Sequence, residues 1–200
     1  MKKLKIAVTG NIGSGKSSFC RFLEEIGYTV IKADEIAKSL MNNDPYIKTE
    51  IIKYFGKSAY DTTGLNKKYV AEKVFSNPIN LEKINSIVHP VVIKKVGSLM
   101  DKCLQTSNIV FHEAALIYEA DIENKFDFVV LISADYKVRT ERKKLHDNFS
   151  EDEFVRRESS QISEDEKKKR ADFVFTNNGT VQELKLKAEL LNKILTGLVQ

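Results

Sequence analysis

The chain predicts an α/β fold, with a parallel five-stranded sheet flanked by helices. Three observations predict it. A strand, a glycine-rich loop, a helix and a second strand follow one another at the N-terminus. Three more short apolar runs come later, separated by stretches of helical spacing. The composition of the 200 residues is ordinary for a globular chain, 42% hydrophobic and 30% charged, with Gly 9 and Pro 3. It excludes collagenous, low-complexity and disordered classes, and the length suits one domain with insertions. Alternating strands and helices pack as parallel strands with helices on both faces.

Residues 4–9 are a short, mostly apolar run ending in glycines, which reads as a buried strand. Phe19, Phe22, Leu23 and Ile26 recur at helical spacing, so residues 17–26 form a helix, and Gly27 stops it. Residues 28–33 are rich in β-branched side chains and form the second strand, with Asp34 at its C-terminal end. This strand is expected to lie beside the first. From residue 34 to about 105 the spacing is helical. Breaks are expected at Asp44 with Pro45, at Gly56, at residues 61–64, at Asn77 with Pro78, and at His89 with Pro90. Residues 108–112 and 127–133 are the third and fourth strands. Residues 136–170 are highly charged and helical. Residues 172–176 are the fifth strand, ended by Asn177, Asn178 and Gly179, and an amphipathic helix runs from about 181 to 198. The long helical stretch after the second strand reads as an insertion on the core.

Other classes fall away on composition. Lys+Arg 32 against Asp+Glu 28 gives a net charge of +4, a mild excess that suits an anionic small molecule and does not call for a nucleic-acid partner. Cys20 and Cys103 are too few for a disulfide scaffold or a four-cysteine zinc site. The apolar start breaks at Thr9, Gly10 and Asn11, too soon for a secretory leader. No run reaches the roughly 20 residues of a membrane span. The expectation is a soluble, cytoplasmic protein.

The chemistry is carried by Gly10, Asn11, Ile12, Gly13, Ser14, Gly15, Lys16 and Ser17, which fit G-x-x-x-x-G-K-[ST] with a strand before and a helix after. This is the P-loop pattern. Its backbone N–H groups converge on phosphate oxygens, helped by the helix N-terminus. Lys16 reaches the β- and γ-phosphates, the Ser17 hydroxyl is a Mg²⁺ ligand, and Ser18 adds a phosphate hydrogen bond. A nucleotide with Mg²⁺ is therefore the expected ligand.

A P-loop gives the phosphates and leaves the reaction open among a GTPase switch, a nucleic-acid motor and a small-molecule kinase. Residues 124–127 match N-K-x-D and residues 61–64 match D-x-x-G, but neither follows a strand as a guanine reader or a switch should. Arg139, Arg142, Lys143 and Lys144 cluster without interleaved aromatics, against a nucleic-acid stripe. The kinase reading has Asp34, a carboxylate at a strand end that can accept a hydroxyl proton. The alternative is that Asp34 only caps the next helix. The basic run from Lys137 to His146 reads either as a charge-neutralising lid or as a solvated helix face.

In order and spacing, these residues resemble one family, the dephospho-coenzyme A kinases. The resemblance covers the P-loop, Asp34 after Ala33, residues 64–67, Val74 with Phe75, residues 87–90 and residues 115–119. It continues through Phe126 with Asp127, Arg142, Arg157, Gln161, Ala171 with Asp172, and residues 177–179. It implies transfer of the ATP γ-phosphoryl group to the 3′-hydroxyl of dephospho-coenzyme A. It implies a nucleotide-binding core at 1–33, 106–138 and 171–200, an acceptor-binding insertion at 34–105 and a lid at 139–170. It assigns Asp34 as base and Arg142 and Asn177 to the nucleotide. It assigns His89, Leu116, Glu119 and Arg157, with Asp34, to the acceptor. The expected partner is dephospho-coenzyme A, without nucleic acid or membrane, for a chain acting as a monomer. His146 stands where a second lid arginine is usual, Lys67 where an arginine follows Leu-Asn, and residues 115–117 lack the usual Pro-Leu-Leu. Glu113 has two readings, a strand-end residue or a carboxylate that orients Mg²⁺ through water.

Overall fold

The structure is a computed structural model that describes residues 2–75, 77–147 and 150–199, with only the backbone described at Phe75, His146 and Asp147. The expected substitution of a lid arginine by the His146 side chain thus falls outside the described residues. The chain divides into two compact units, Met1–Lys32 with Met100–Gln200, and Ala33–Leu99.

The first unit is built on five parallel strands: β1 (Leu4–Thr9), β2 (Thr29–Lys32), β5 (Ile109–Glu113), β6 (Phe128–Ser133) and β7 (Phe173–Thr176). They are ordered β2-β5-β1-β6-β7. The second strand is therefore not beside the first, as expected from sequence. Strand β5 lies between them, pairing Val8 with Glu113 on one side and Lys32 with Glu113 on the other. Burial explains the order. Strand β5 is buried at all five residues, which suits a position covered on both faces, whereas β2 begins with exposed Thr29 and suits the edge.

Helix α1 (Lys16–Ile26) buries Phe19, Cys20, Phe22 and Leu23, and ends on Gly27 in the left-handed conformation. Helix α9 (Val181–Val199) buries Leu184, Ala188, Leu191 and Leu195 at helical spacing in the same core as Leu4, Ile6, Val8 and Phe111. The charged stretch 136–170 resolves into α6 (Tyr136–Asp147), α7 (Glu151–Ser159) and α8 (Glu164–Arg170). Ser150 and Ser163 cap the last two, accepting from the N–H of Glu153 and Glu166 at 3.2 Å. The N-K-x-D segment overlaps the 3₁₀ turn Glu123–Lys125 ahead of β6, and its Asp127 accepts the Lys5 N–H at 2.8 Å, at the N-terminal end of the strands. It is a strand-pairing device.

The second unit contains α2 (Ala33–Asn43), α3 (Pro45–Phe55), a small ribbon of β3 (Tyr60–Asp61) and β4 (Gly64–Leu65), α4 (Lys67–Phe75) and most of α5 (Pro78–Cys103). Asp44 caps α3 by accepting the Ile47 N–H at 3.0 Å, with Pro45 at the first helical position. The D-x-x-G segment is the tip of the ribbon, where Asp61 accepts the Thr63 N–H at 2.7 Å. The break expected at His89 and Pro90 does not occur, because α5 runs through Pro90. A proline inside a helix costs about 3 kcal/mol. Ile84, Ile87, Val88, Val92 and Val96 are buried along that helix, and each such side chain contributes roughly 1.5–3 kcal/mol. Burial on both sides of the proline outweighs it. No helix among the described residues is long and apolar enough to cross a membrane.

Candidate active site

The P-loop joins β1 to α1 at the C-terminal edge of the sheet, where open α/β sheets bind ligands. Two glycines are required by close approach as well as by backbone angle. Gly13 has φ 79°, and a Cβ there would meet the Arg139 carbonyl oxygen at 2.6 Å. Gly15 has φ 92°, and a Cβ would meet the Asn177 amide nitrogen at 2.2 Å. The loop is thus closed in from two sides, by α6 and by the segment after β7. Asn177 donates to the Ser14 carbonyl at 2.8 Å and is itself anchored through its N–H on Ser133 at 2.6 Å. Arg142 donates to the carbonyls of Asn177 at 2.9 Å and Gly179 at 3.5 Å. Asn177 and Arg142 therefore sit together beside the loop.

The carboxylate next to the loop belongs to Glu113, as the strand order dictates. Ser17 Oγ donates to Glu113 Oε1 at 2.6 Å, and Lys16 Nζ lies 3.6 Å from the same oxygen. Glu113 Oε2 is buried with no hydrogen-bond partner among the described residues. A buried charged oxygen without a partner is costly, and here it lies beside a hydroxyl and an ammonium. Among the described residues no cluster of three or more His, Cys, Asp or Glu side chains could hold a metal ion unaided. Ser17 Oγ and the Glu113 carboxylate are hard oxygen donors, and they fit Mg²⁺ completed by phosphate oxygens and water. Cys20 lies one turn along α1, where burial and the neighbouring Glu113 carboxylate push its thiol pKa well up. Ser18 is half-buried in the first turn of α1.

The tip of the loop is held by Arg139 and Glu158, to which sequence reasoning assigned no role there, together with Asn11 of the loop and Gln161. Arg139, 3% exposed, donates to the Ile12 carbonyl at 3.2 Å and grips Glu158 with two bonds, at 2.6 and 2.7 Å. Gln161 accepts the Ile12 N–H at 2.9 Å, and Asn11 donates to Glu158 and to the Ile162 carbonyl, both at 3.3 Å. Arg139 was visible only as one member of a basic run, and no spacing rule links it to Glu158.

The residues expected at the acceptor divide between the units. Leu116, Glu119 and Arg157 are in the first unit, Asp34 and His89 in the second. Glu119 Oε1 is taken by the Ile162 N–H at 2.8 Å and by the fully buried Lys167 Nζ at 2.9 Å. Burial lowers the Lys167 pKa, and the Glu119 hydrogen bond opposes this. Leu116 is half-buried, and Arg157 pairs with Glu153 along α7 at 3.2 Å. His89 is half-buried on α5, and burial lowers its pKa. Asp34 is exposed in the first turn of α2, which begins at Ala33. It is one residue inside the helix, past the cap position.

The chain is similar to known proteins over most of its length. The sequence model of one family, described as dephospho-CoA kinase, matches residues 4–183. A dephospho-CoA kinase of Protochlamydia amoebophila is 36% identical over 187 residues, 92% of each chain. One of Salinibacter ruber is 35% identical over 194 residues, 96% of this chain and 98% of that one. A crystal structure from Thermus thermophilus superposes with TM-score 0.81 at 30% identity, covering 96% of this chain and 98% of that one.

Proposed function

The chain belongs to the dephospho-CoA kinase family, and from that premise we propose that it transfers the γ-phosphoryl group of ATP to the 3′-hydroxyl of dephospho-coenzyme A. The products are coenzyme A and ADP, and the step closes coenzyme A synthesis. The observation that carries this reading is the P-loop with Ser17 bonded to Glu113 at 2.6 Å, in a chain matched to the family over nearly its whole length.

The loop amides from Gly13 to Ser18 receive the phosphates, with Asn11 and Ile12 forming the loop's tip. Lys16 brings its charge to the β- and γ-phosphate oxygens, where negative charge shifts during transfer. Ser17 and Glu113 would hold Mg²⁺, which when bound would supply charge neutralisation across those phosphates. Arg142 and Asn177 flank the nucleotide. Asp34 orients the acceptor hydroxyl and takes its proton as the oxygen–phosphorus bond forms and ADP departs. Asp34 is supported by its place in the sequence, two residues past Lys32, the C-terminal end of β2. His89, Leu116, Glu119 and Arg157 contact the acceptor. The core, acceptor-binding and lid segments carry these tasks at 1–33 with 106–138 and 171–200, at 34–105, and at 139–170. One chain supplies every group, so a monomer suffices, and a cytoplasmic location goes with soluble nucleotide substrates.

Coupled ADP release should be measured with dephospho-coenzyme A, adenosine, nucleoside monophosphates and gluconate as acceptors. Dephospho-coenzyme A is expected to give the highest kcat/KM. Equal or better turnover of a nucleoside monophosphate would make the chain a nucleotide kinase instead.

A further inference from the structure

Both main-chain groups of Ile12 are captured by side chains from elsewhere in the first unit. Gln161 takes its N–H at 2.9 Å and Arg139 takes its carbonyl at 3.2 Å. Arg139 is aimed at that carbonyl from several sides. Its Nε donates to the Ala134 carbonyl at 2.9 Å, and its two terminal nitrogens hold the Glu158 carboxylate. Glu164 lies 3.7 Å from Nε and adds a second carboxylate. Glu158 in turn accepts from Asn11, the residue before Ile12.

A peptide unit is planar and trans, so its carbonyl and the following N–H point in opposite directions. Fixing the Ile12 carbonyl therefore fixes the direction of the Gly13 N–H. Fixing the Ile12 N–H fixes the peptide plane before it. The Arg139 main chain also presses against Gly13, where only a residue without Cβ fits. A buried ion pair of this kind stabilises no better than apolar residues of similar volume. Its bidentate geometry, however, is a means of orienting a guanidinium.

We propose that Arg139, aimed by Glu158, is a positioning residue for the phosphate loop. With Gln161 it sets the peptide planes on both sides of Ile12 and so presets the amides that receive phosphate. The proposal rests on the nucleotide-binding reading above. It assigns Arg139, Glu158 and Gln161 a role in loop geometry that is separate from any cationic clamp at Arg142.

The test uses ADP binding by calorimetry, with thermal midpoints, on the full chain and three variants. Arg139→Met leaves the half-buried Glu158 without its guanidinium partner, and should lower the midpoint and weaken ADP binding about tenfold or more. The pair Arg139→Met with Glu158→Met removes both charges and should recover most of the midpoint. Its ADP affinity should stay about tenfold below the parent's. Arg139→Lys keeps the charge, loses the fork and should also stay weak. Parent-like ADP affinity in the double variant or in Arg139→Lys would overturn the positioning role. A parent chain that does not bind ADP would overturn the nucleotide-binding reading and the positioning role with it.

Discussion

The two compact units differ in what they bury. Among the described residues, every buried polar or charged side chain belongs to the first unit, including Asn11, Glu113, Arg139, Lys167 and Asn177. The second unit buries apolar side chains such as Ile47, Ile51, Phe55, Val70, Ile87 and Val92. Buried polar groups are costly unless each is partnered. The first unit bears that cost around one loop, whose amides, lysine and hydroxyl must be oriented before phosphate arrives. The second needs only a packed interior, and the residues proposed for its chemistry lie nearer its surface: Asp34 is exposed and His89 half-buried. Preorganisation is concentrated where charge moves.

The sharpest way to press this contrast is Asp34→Asn. It keeps the size of an exposed side chain and removes the proton acceptor. Turnover should fall about 10²–10⁴-fold, while ATP affinity and thermal midpoint hardly change. The midpoint matters because Asp34 lies in the first turn of α2, where a carboxylate adds only about 0.3–1 kcal/mol through the helix dipole. Parent-like turnover in the Asn variant would reduce Asp34 to that helix term. Next in size is Lys16→Ala, in the polar interior. Its kcat should drop on the order of 10²-fold or more, and steady-state rates with dephospho-coenzyme A check it. Near-normal turnover would mean that the loop is not the catalytic phosphate site.

The apolar unit should answer differently. Ile51→Ala, at a fully buried position of α3, should cost about 2–5 kcal/mol of stability. Its kcat should stay at the parent value at temperatures where the variant is folded, as denaturant melts and rates together will show. A loss of kcat in folded Ile51→Ala comparable with that of Lys16→Ala would break the contrast. The smallest effect concerns pH. Burial lowers the His89 pKa, so the unfolded chain binds the proton more readily. Stability then rises with pH through the window below the ordinary value of about 6.5, and is lost as pH falls through it. Thermal midpoints of the parent and His89→Gln at pH 7.5 and 5.5 should show the smaller acid loss in the variant. Equal losses would remove His89 as the source.

The sequence spelled out what local rules govern. Residues 4–9 and 127–133 read as strands because two-sided burial makes them continuous apolar runs, and they form β1 and β6. The loop was legible because phosphate binding demands glycine, lysine and serine at fixed spacing. What stayed hidden depends on distant partners. No periodicity reports that β5 separates β2 from β1, although that order decides that Glu113 lies beside Ser17. The β3–β4 ribbon has two residues per strand, too few for an alternation to register. Pro90 read as a break because local rules omit the burial of Val88 and Val92 on either side. Arg139 looked like one charge in a basic run, and its bond to Glu158 spans 19 positions.

The central claim is a phosphoryl transfer to one particular oxygen. Phosphorus NMR of the products formed from ATP, Mg²⁺ and dephospho-coenzyme A tests it most directly. One new phosphomonoester is expected, at the ribose 3′ position, in equal amount to the ADP released. ADP accumulating without that phosphomonoester, or a phosphate on any other oxygen of the acceptor, would contradict it.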